Sequence, residues 1–221
     1  MSDRKRRALS ALAVQRKQDC LPGYRRLSDF HGGAYDKHDF VSPWTLSAGN
    51  VDADLMIILQ DWSSSKSLEG PFDEEAARLG HTPGLATNRN LKRLVASHFG
   101  LDVAETYVTN MFVFIKEGAM SAPIPLRDAI YSARKYAIPQ IEIVRPRTVL
   151  CVGSLTYNAI RVAAGEARVS IRRGADTAFN LGESRLYGVP HTGGLGMAGA
   201  GGTAAVEAMW SAIAAKHRRR N

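Results

Sequence analysis

The strongest constraint on the fold is a set of four short, continuous apolar runs: 55–59, 107–109 extended by 111–114, 148–152 and 185–189. Each has strand length, and none alternates with polar residues as a half-exposed strand would. Continuous runs of this kind belong to parallel strands covered on both faces. Helix-periodic segments separate them. Residues 88–99 carry Leu91, Leu94 and Val95 on one face, with Gly100 as the stop. Residues 126–144 read as one long helix that Pro139 kinks or splits. Residues 155–164 and 203–217 read as two more, and 4–19 as a basic N-terminal helix. Alternating strands and helices predict a three-layer α/β/α sandwich around a central, mainly parallel, four-stranded sheet. The 221 residues are expected to form a single domain, 1–221.

Composition narrows the function classes. Lys plus Arg number 29 and Asp plus Glu 21, a formal charge of +8. The positive charge is densest at the ends: Arg4, Lys5, Arg6, Arg7, Arg16 and Lys17 at one, and a basic tail over 216–221 at the other. Such a chain suits a polyanionic partner, nucleic acid or an anionic surface. Cys20 and Cys151 are the two cysteines. They form no disulfide framework and no CxxC, and they suit a reducing compartment. Cys151 lies in an apolar run and reads as buried packing. No apolar run approaches the roughly 20 residues of a membrane span, and no apolar stretch follows the basic start as a signal would require. The expected location is cytoplasmic, nucleoid-associated if the source is bacterial. His31, His38, His81 and His98 lack ligand spacing, so no metal is expected.

In parallel α/β sheets, sites form at the carboxyl ends of the strands. That rule gathers Gln60 and Asp61 after the first strand, Asn110 at the end of the second, Gly153 and Ser154 after the third, and His191 after the fourth. Singly, each has an ordinary reading. Asp61 could cap a helix, Asn110 could bond loop backbone, and His191 could pack or cap.

Taken in order, these segments resemble the uracil-DNA glycosylase superfamily. Leu59-Gln60-Asp61-Trp62 resembles the first active-site motif, GQDPYH in the best-known branch. His191-Thr192-Gly193-Gly194-Leu195 is similar to that branch's HPSPL motif. Val108-Thr109-Asn110 resembles the strand that presents the uracil-reading asparagine, and the segment from Pro146 to Gly153 resembles the strand between them. The likeness covers roughly residues 50–215.

The resemblance implies a monofunctional enzyme of base excision repair. It would hydrolyse the N-glycosidic bond of uracil in DNA and leave an abasic site. Asp61 would stabilise the cationic sugar and orient water, and His191 would stabilise the uracil anion. Gln60, Asn110, Phe72 and Trp62 would bind the flipped base, with Phe112 and Phe114 as rivals for the stacking aromatic. Phe72 is chosen because Gly70-Pro71-Phe72 resembles the G-x-P-F segment of another branch. Leu195 would be the wedge that fills the vacated stack. Ser63, Thr192, Gly193, Gly194, Ser154 and Arg89 would meet DNA, with Lys92 and Arg93 nearby and backbone N–H groups of the glycine loop on phosphate. The expected partners are uracil-containing DNA, single- or double-stranded, and free uracil as product. No cofactor, no metal and no membrane partner is expected, and the chain would act as a monomer.

The chain departs from that branch where Trp62-Ser63-Ser64 stands in place of Pro-Tyr-His, so the tyrosine that excludes thymine is absent. Thr192-Gly193 replaces Pro-Ser. With two cysteines, a four-cysteine iron–sulfur lineage is excluded. Two alternatives stay open: a non-catalytic nucleic-acid-binding module of the same fold, and a nucleotide-binding enzyme that uses the glycine-rich stretch 193–202. Neither a Walker loop nor a serine nucleophile elbow occurs.

Overall fold

The computed structural model describes residues 2–219. Arg220 and Asn221, part of the expected basic tail, lie outside the described residues. Helix α1 (Ser2–Gln18) comes first, then a short strand β1 (Tyr24–Arg25). Strand β2 (Leu55–Asp61) is followed by helices α2 (Ser65–Leu68), α3 (Glu74–Leu79) and α4 (Ala86–Phe99). Strands β3 (Tyr107–Phe112) and β4 (Ile115–Lys116) precede α5 (Leu126–Ser132) and α6 (Ile138–Val144). Then come β5 (Thr148–Val152), α7 (Ser154–Ala163), β6 (Phe179–Leu181), β7 (Ser184–Val189), α8 (Gly194–Gly199) and α9 (Thr203–Arg218).

The main sheet has the order β3-β2-β5-β7-β6. The four strands read from the sequence are its parallel part. The sheet is five-stranded, not four-stranded. Strand β6 adds an antiparallel edge, joined to β7 by the tight turn Gly182-Glu183. Gly182 supplies the positive φ (55°) that such a turn requires. Three residues with one buried position give no periodic signal, so β6 is invisible in the hydropathy pattern.

Successive side chains of β2 serve opposite faces. Met56 and Ile58, with Val149, Cys151 and Leu186 from neighbouring strands, pack under α1, α5, α6 and α7. Leu55, Ile57 and Leu59, with Leu150, Val152 and Val189, pack under α4 and α9. Both faces are covered, which is why the runs are apolar throughout. Cys151 is fully buried, and burial alone pushes its thiol well above the usual thiol range.

The expected helix 126–144 is interrupted. A π-helical turn, Ala133–Ala137, separates α5 from α6, and Pro139 falls in the first turn of α6. There its missing N–H costs least. Gly100 ends α4 in the left-handed conformation (φ 68°), its N–H bonded to the Ala96 carbonyl. Among the described residues no helix is long and apolar enough to cross a membrane.

Candidate active site

At the carboxyl end of the sheet lies a cavity of about 600 Å³. Its wall includes Gln60, Asp61, Trp62, Ser63 and His191, so the first and last motifs of the sequence meet at one site.

Asp61 is the last residue of β2. Its Oδ1 accepts a hydrogen bond from Gln60 Nε2 at 2.9 Å. Its Oδ2 lies 2.8 Å from Lys116 Nζ, and the two side chains are only 6% and 3% exposed. The contact is an ion pair off the hydrogen-bonding direction, because Oδ2 has no aligned donor. The lysine's directed bond goes to the Met120 carbonyl at 2.5 Å. Lys116 is held by β4, which pairs with β1 through Tyr24 and bridges to Ser64. Its counter-ion role was not read from the sequence. The available signal was a single lysine ending the apolar stretch 111–115, and a buried lysine needs a partner.

His191 follows β7. Its Nδ1 accepts the Gly193 backbone N–H at 3.0 Å. In a neutral ring this puts the proton on Nε2, making that nitrogen a donor. Burial holds the His191 pKa below the usual histidine value. The Asp61 carboxylate opposes that shift, and the Lys116 ammonium adds to it. The following residue is anchored from α4: Thr192 Oγ1 donates to the Thr87 carbonyl at 2.9 Å, and Asn90 Nδ2 donates to the Thr192 carbonyl at 2.8 Å. A Cβ on Gly196 would lie 2.4 Å from the His191 carbonyl oxygen, so this return of the chain fits only glycine.

Trp62 is fixed by its Nε1, which donates to the Gly80 carbonyl at 2.8 Å, and by the Tyr35 ring 5.2 Å away. Tyr35 also lines the cavity. Phe72 is 41% exposed and packs on Tyr35 and His31 beside the cavity wall. Phe112 and Phe114, the rival aromatics, are buried in the core.

Asn110 is not on the cavity wall. It lies inside β3, 1% exposed, and lines a much smaller recess of about 10 Å³ that also touches Trp62. Its Oδ1 accepts from Ser42 Oγ at 2.6 Å, and its Nδ2 is buried without a partner. The register explains the placement, since Asn110 pairs with Leu59, two residues before Asp61.

The residues expected to meet DNA divide. Leu195, on α8, is 93% exposed. Gly194 and Ser154 are exposed, Ser154 at the start of α7. Gly153 precedes it beside His191. Ser63 is buried in the cavity wall. Thr192 is fully buried, and its hydroxyl is committed to α4. The Gly193 N–H is committed to His191 rather than offered to phosphate. Arg89 is exposed, with its guanidinium on the Gly84 carbonyl. Arg93 pairs with Glu207. Arg16 is buried in a bidentate pair with Asp36 at 2.5 and 2.6 Å, so it braces α1.

Trp44 and His81 also line the cavity and are not among the expected site residues. They stack face to face, with ring centroids 3.9 Å apart and 7° between planes. They are distant in sequence, and neither sits at a strand end. Among the described residues no cluster of three or more His, Cys, Asp or Glu side chains could hold a metal ion. No protein-family model matches the chain, and no curated protein matches it significantly.

Proposed function

We propose that this chain is a DNA glycosylase of the uracil-DNA glycosylase type, hydrolysing the bond between uracil and deoxyribose. The observation that carries the reading is the meeting of Asp61 and a neutral, Nε2-protonated His191 at one cavity. An N-glycosidic hydrolysis needs a carboxylate near the anomeric carbon and a donor at the base carbonyl.

The chemistry follows from those two groups. The C1′–N1 bond breaks, and its electron pair goes to the base, delocalised onto O2. His191 Nε2–H donates to that oxygen and stabilises the anion without giving up its proton. Asp61 faces the cationic sugar and orients a water molecule. Water oxygen bonds to C1′ and one of its protons passes to Asp61, which releases it to solvent, while the departing uracil anion takes up a proton from solvent. Lys116 does not line the cavity, so the carboxylate is the nearer charge to the sugar. Gln60 and Lys116 hold it in place, one on each oxygen.

Size and surroundings support the same reading. A cavity of about 600 Å³ falls in the range of small-molecule sites and accommodates a flipped nucleotide. The tethered Trp62 indole supplies a rigid wall in place of the missing tyrosine. Leu195, exposed four residues after His191, is available as a wedge. The net charge of +8 suits a polyanion.

The test is cleavage of an oligonucleotide carrying one deoxyuridine, with alkali to break the abasic site. Asp61→Asn should abolish most turnover and keep binding. Binding with no turnover by the unaltered protein would instead favour a non-catalytic module.

A further inference from the structure

The two basic ends of the chain lie far from the cavity. Lys5 Nζ, near the start of α1, donates to the Val51 and Val144 carbonyls, in the segments that lead into β2 and β5. Near the end of α9, His217 Nδ1 lies 2.9 Å from Oγ1 of Thr148, the first residue of β5. Both ends are therefore at the amino end of the sheet, whereas the cavity opens at the carboxyl end.

A different pair of cations is at the cavity end. Arg172 and Arg173 form a 3-10 turn, Ile171–Arg173, and both are exposed. The chain reaches this turn by folding back along α7. Asn158 exchanges two hydrogen bonds with the Val169 backbone, at 2.8 and 3.0 Å, and donates to the Ser154 carbonyl at 3.0 Å. Gly174 then docks on the carboxyl end of β7: its carbonyl accepts the Gly188 N–H, and an added Cβ would lie 2.3 Å from the Gly188 carbonyl oxygen. The Arg173 carbonyl accepts from Asp176 N–H, Thr177 N–H and Thr177 Oγ1, so the backbone of the turn is fixed. Segment 167–177 carries three arginines and one carboxylate, Asp176. Among the described residues neither Arg172, Arg173 nor Asp176 is in an ion pair, and the neighbouring Glu166 is spent on Arg161.

The turn is tied to the helix that carries Leu195. Arg172 Nη2 donates to the Gly199 carbonyl, at the end of α8, at 3.1 Å. The segment before α8 is tied to α4, where Asn90 donates to the Thr192 carbonyl. Leu195 thus projects between α4, with Arg89, and the arginine turn. A membrane surface would need an apolar helical face, but Leu195 is the one large side chain that α8 exposes. Planar guanidinium groups on a rigid turn suit phosphate oxygens.

We propose that Arg172 and Arg173 form a phosphate-binding site for the DNA backbone, on the side of Leu195 away from α4. This rests on the DNA partner in the reading above and not on its chemistry. Each phosphate neutralised adds about 0.9 to the slope of log affinity against log salt.

The experiment is fluorescence anisotropy of a labelled duplex carrying one tetrahydrofuran abasic-site analogue, which no glycosylase can cleave, titrated from ~50 to ~200 mM salt. Arg172→Gln/Arg173→Gln should lower the slope by about 1.8, which shrinks the loss of affinity across that range by roughly tenfold. Arg173→Gln alone leaves the bond to Gly199 intact and should lower the slope by about 0.9. Arg172→Lys/Arg173→Lys should keep most of it. Arg4→Gln/Arg6→Gln removes the same charge from the amino end and should leave the slope unchanged. An unchanged slope in the Arg172/Arg173 glutamine variant, or an equal fall in the Arg4/Arg6 variant, would overturn the proposal. So would loss of binding to phosphatidylserine vesicles in the Arg172/Arg173 variant with DNA binding unaltered. The expected slopes without cleavage of a deoxyuridine strand would uphold this site and overturn the glycosylase reading; no DNA binding by the unaltered protein would overturn both.

Discussion

Replacing Lys116 by methionine removes one member of an ion pair that is almost wholly out of water. At 2.8 Å, and with an effective dielectric constant of ~20, the gross attraction is roughly 6 kcal/mol. Desolvating the two ions costs several kcal/mol each, so the intact pair contributes little net stability. Removing one partner is different. Lys116→Met leaves Asp61 buried with only Gln60 Nε2 as a donor, and a stranded buried charge typically costs about 3–5 kcal/mol. Asp61→Asn strands Lys116, but the Met120 carbonyl still accepts from it, so that loss should be the smaller. In the double variant neither charge remains. Its destabilisation should fall short of the summed single losses by about 2 kcal/mol or more. Urea unfolding of the four proteins at pH 7.5, extrapolated linearly, measures this coupling. Single losses under about 1 kcal/mol, or additivity within about 0.5 kcal/mol, would refute the buried-pair argument.

Other consequences are tested in the same way. Asp61→Asn should lower turnover on deoxyuridine DNA by about 10²–10⁴-fold and leave DNA affinity within a few fold, measured by single-turnover cleavage and by fluorescence anisotropy. Leu195→Ala, at a 93% exposed position, should change stability by less than about 0.5 kcal/mol; cleavage of duplex DNA should nonetheless fall relative to single strands, where no stack needs filling. Gly196→Ala should push the His191 turn aside, because the added Cβ would lie 2.4 Å from the His191 carbonyl oxygen; activity should drop at least tenfold, about 1.4 kcal/mol, with the fold intact by circular dichroism. His81 is depressed from 6.5 to about 4, so the unfolded chain binds its proton first as pH falls. Stability is complete above pH ~6.5 and declines by up to about 3 kcal/mol as pH drops toward ~4, which a urea series across that window would detect. His191 is also held below the usual histidine value, so activity that needs its neutral form should persist through pH 6.5 and fall only on the acid side.

The parallel core of the fold was legible because each strand is buried on both faces. Leu55, Ile57 and Leu59 serve one helical layer, Met56 and Ile58 the other, and the sequence shows an unbroken apolar run. Strand β6 left no such trace, being a short antiparallel edge fixed by the turn at Gly182. At the site, the strand-end rule gathers Gln60, Asp61 and His191 because parallel strands deliver their carboxyl ends to one rim. It does not place Asn110, since β3 continues past it to Phe112 and its side chain turns to Ser42. Lys116, Trp44 and His81 escape notice for a different reason. They reach Asp61 and the cavity from a two-residue strand, a 3-10 turn and a loop, by contacts between segments far apart in sequence. The cationic residues show the same limit: a count of charges cannot tell that Arg16 and Arg93 are spent on Asp36 and Glu207.

The most direct measurement is cleavage of a labelled 5′-end oligonucleotide containing one deoxyuridine, run in EDTA beside strands carrying thymine, hypoxanthine or only normal bases. A single alkali-labile break at uracil is expected, independent of metal and lost in Asp61→Asn. An unaltered protein that binds these strands with steep salt dependence and breaks none of them would contradict it.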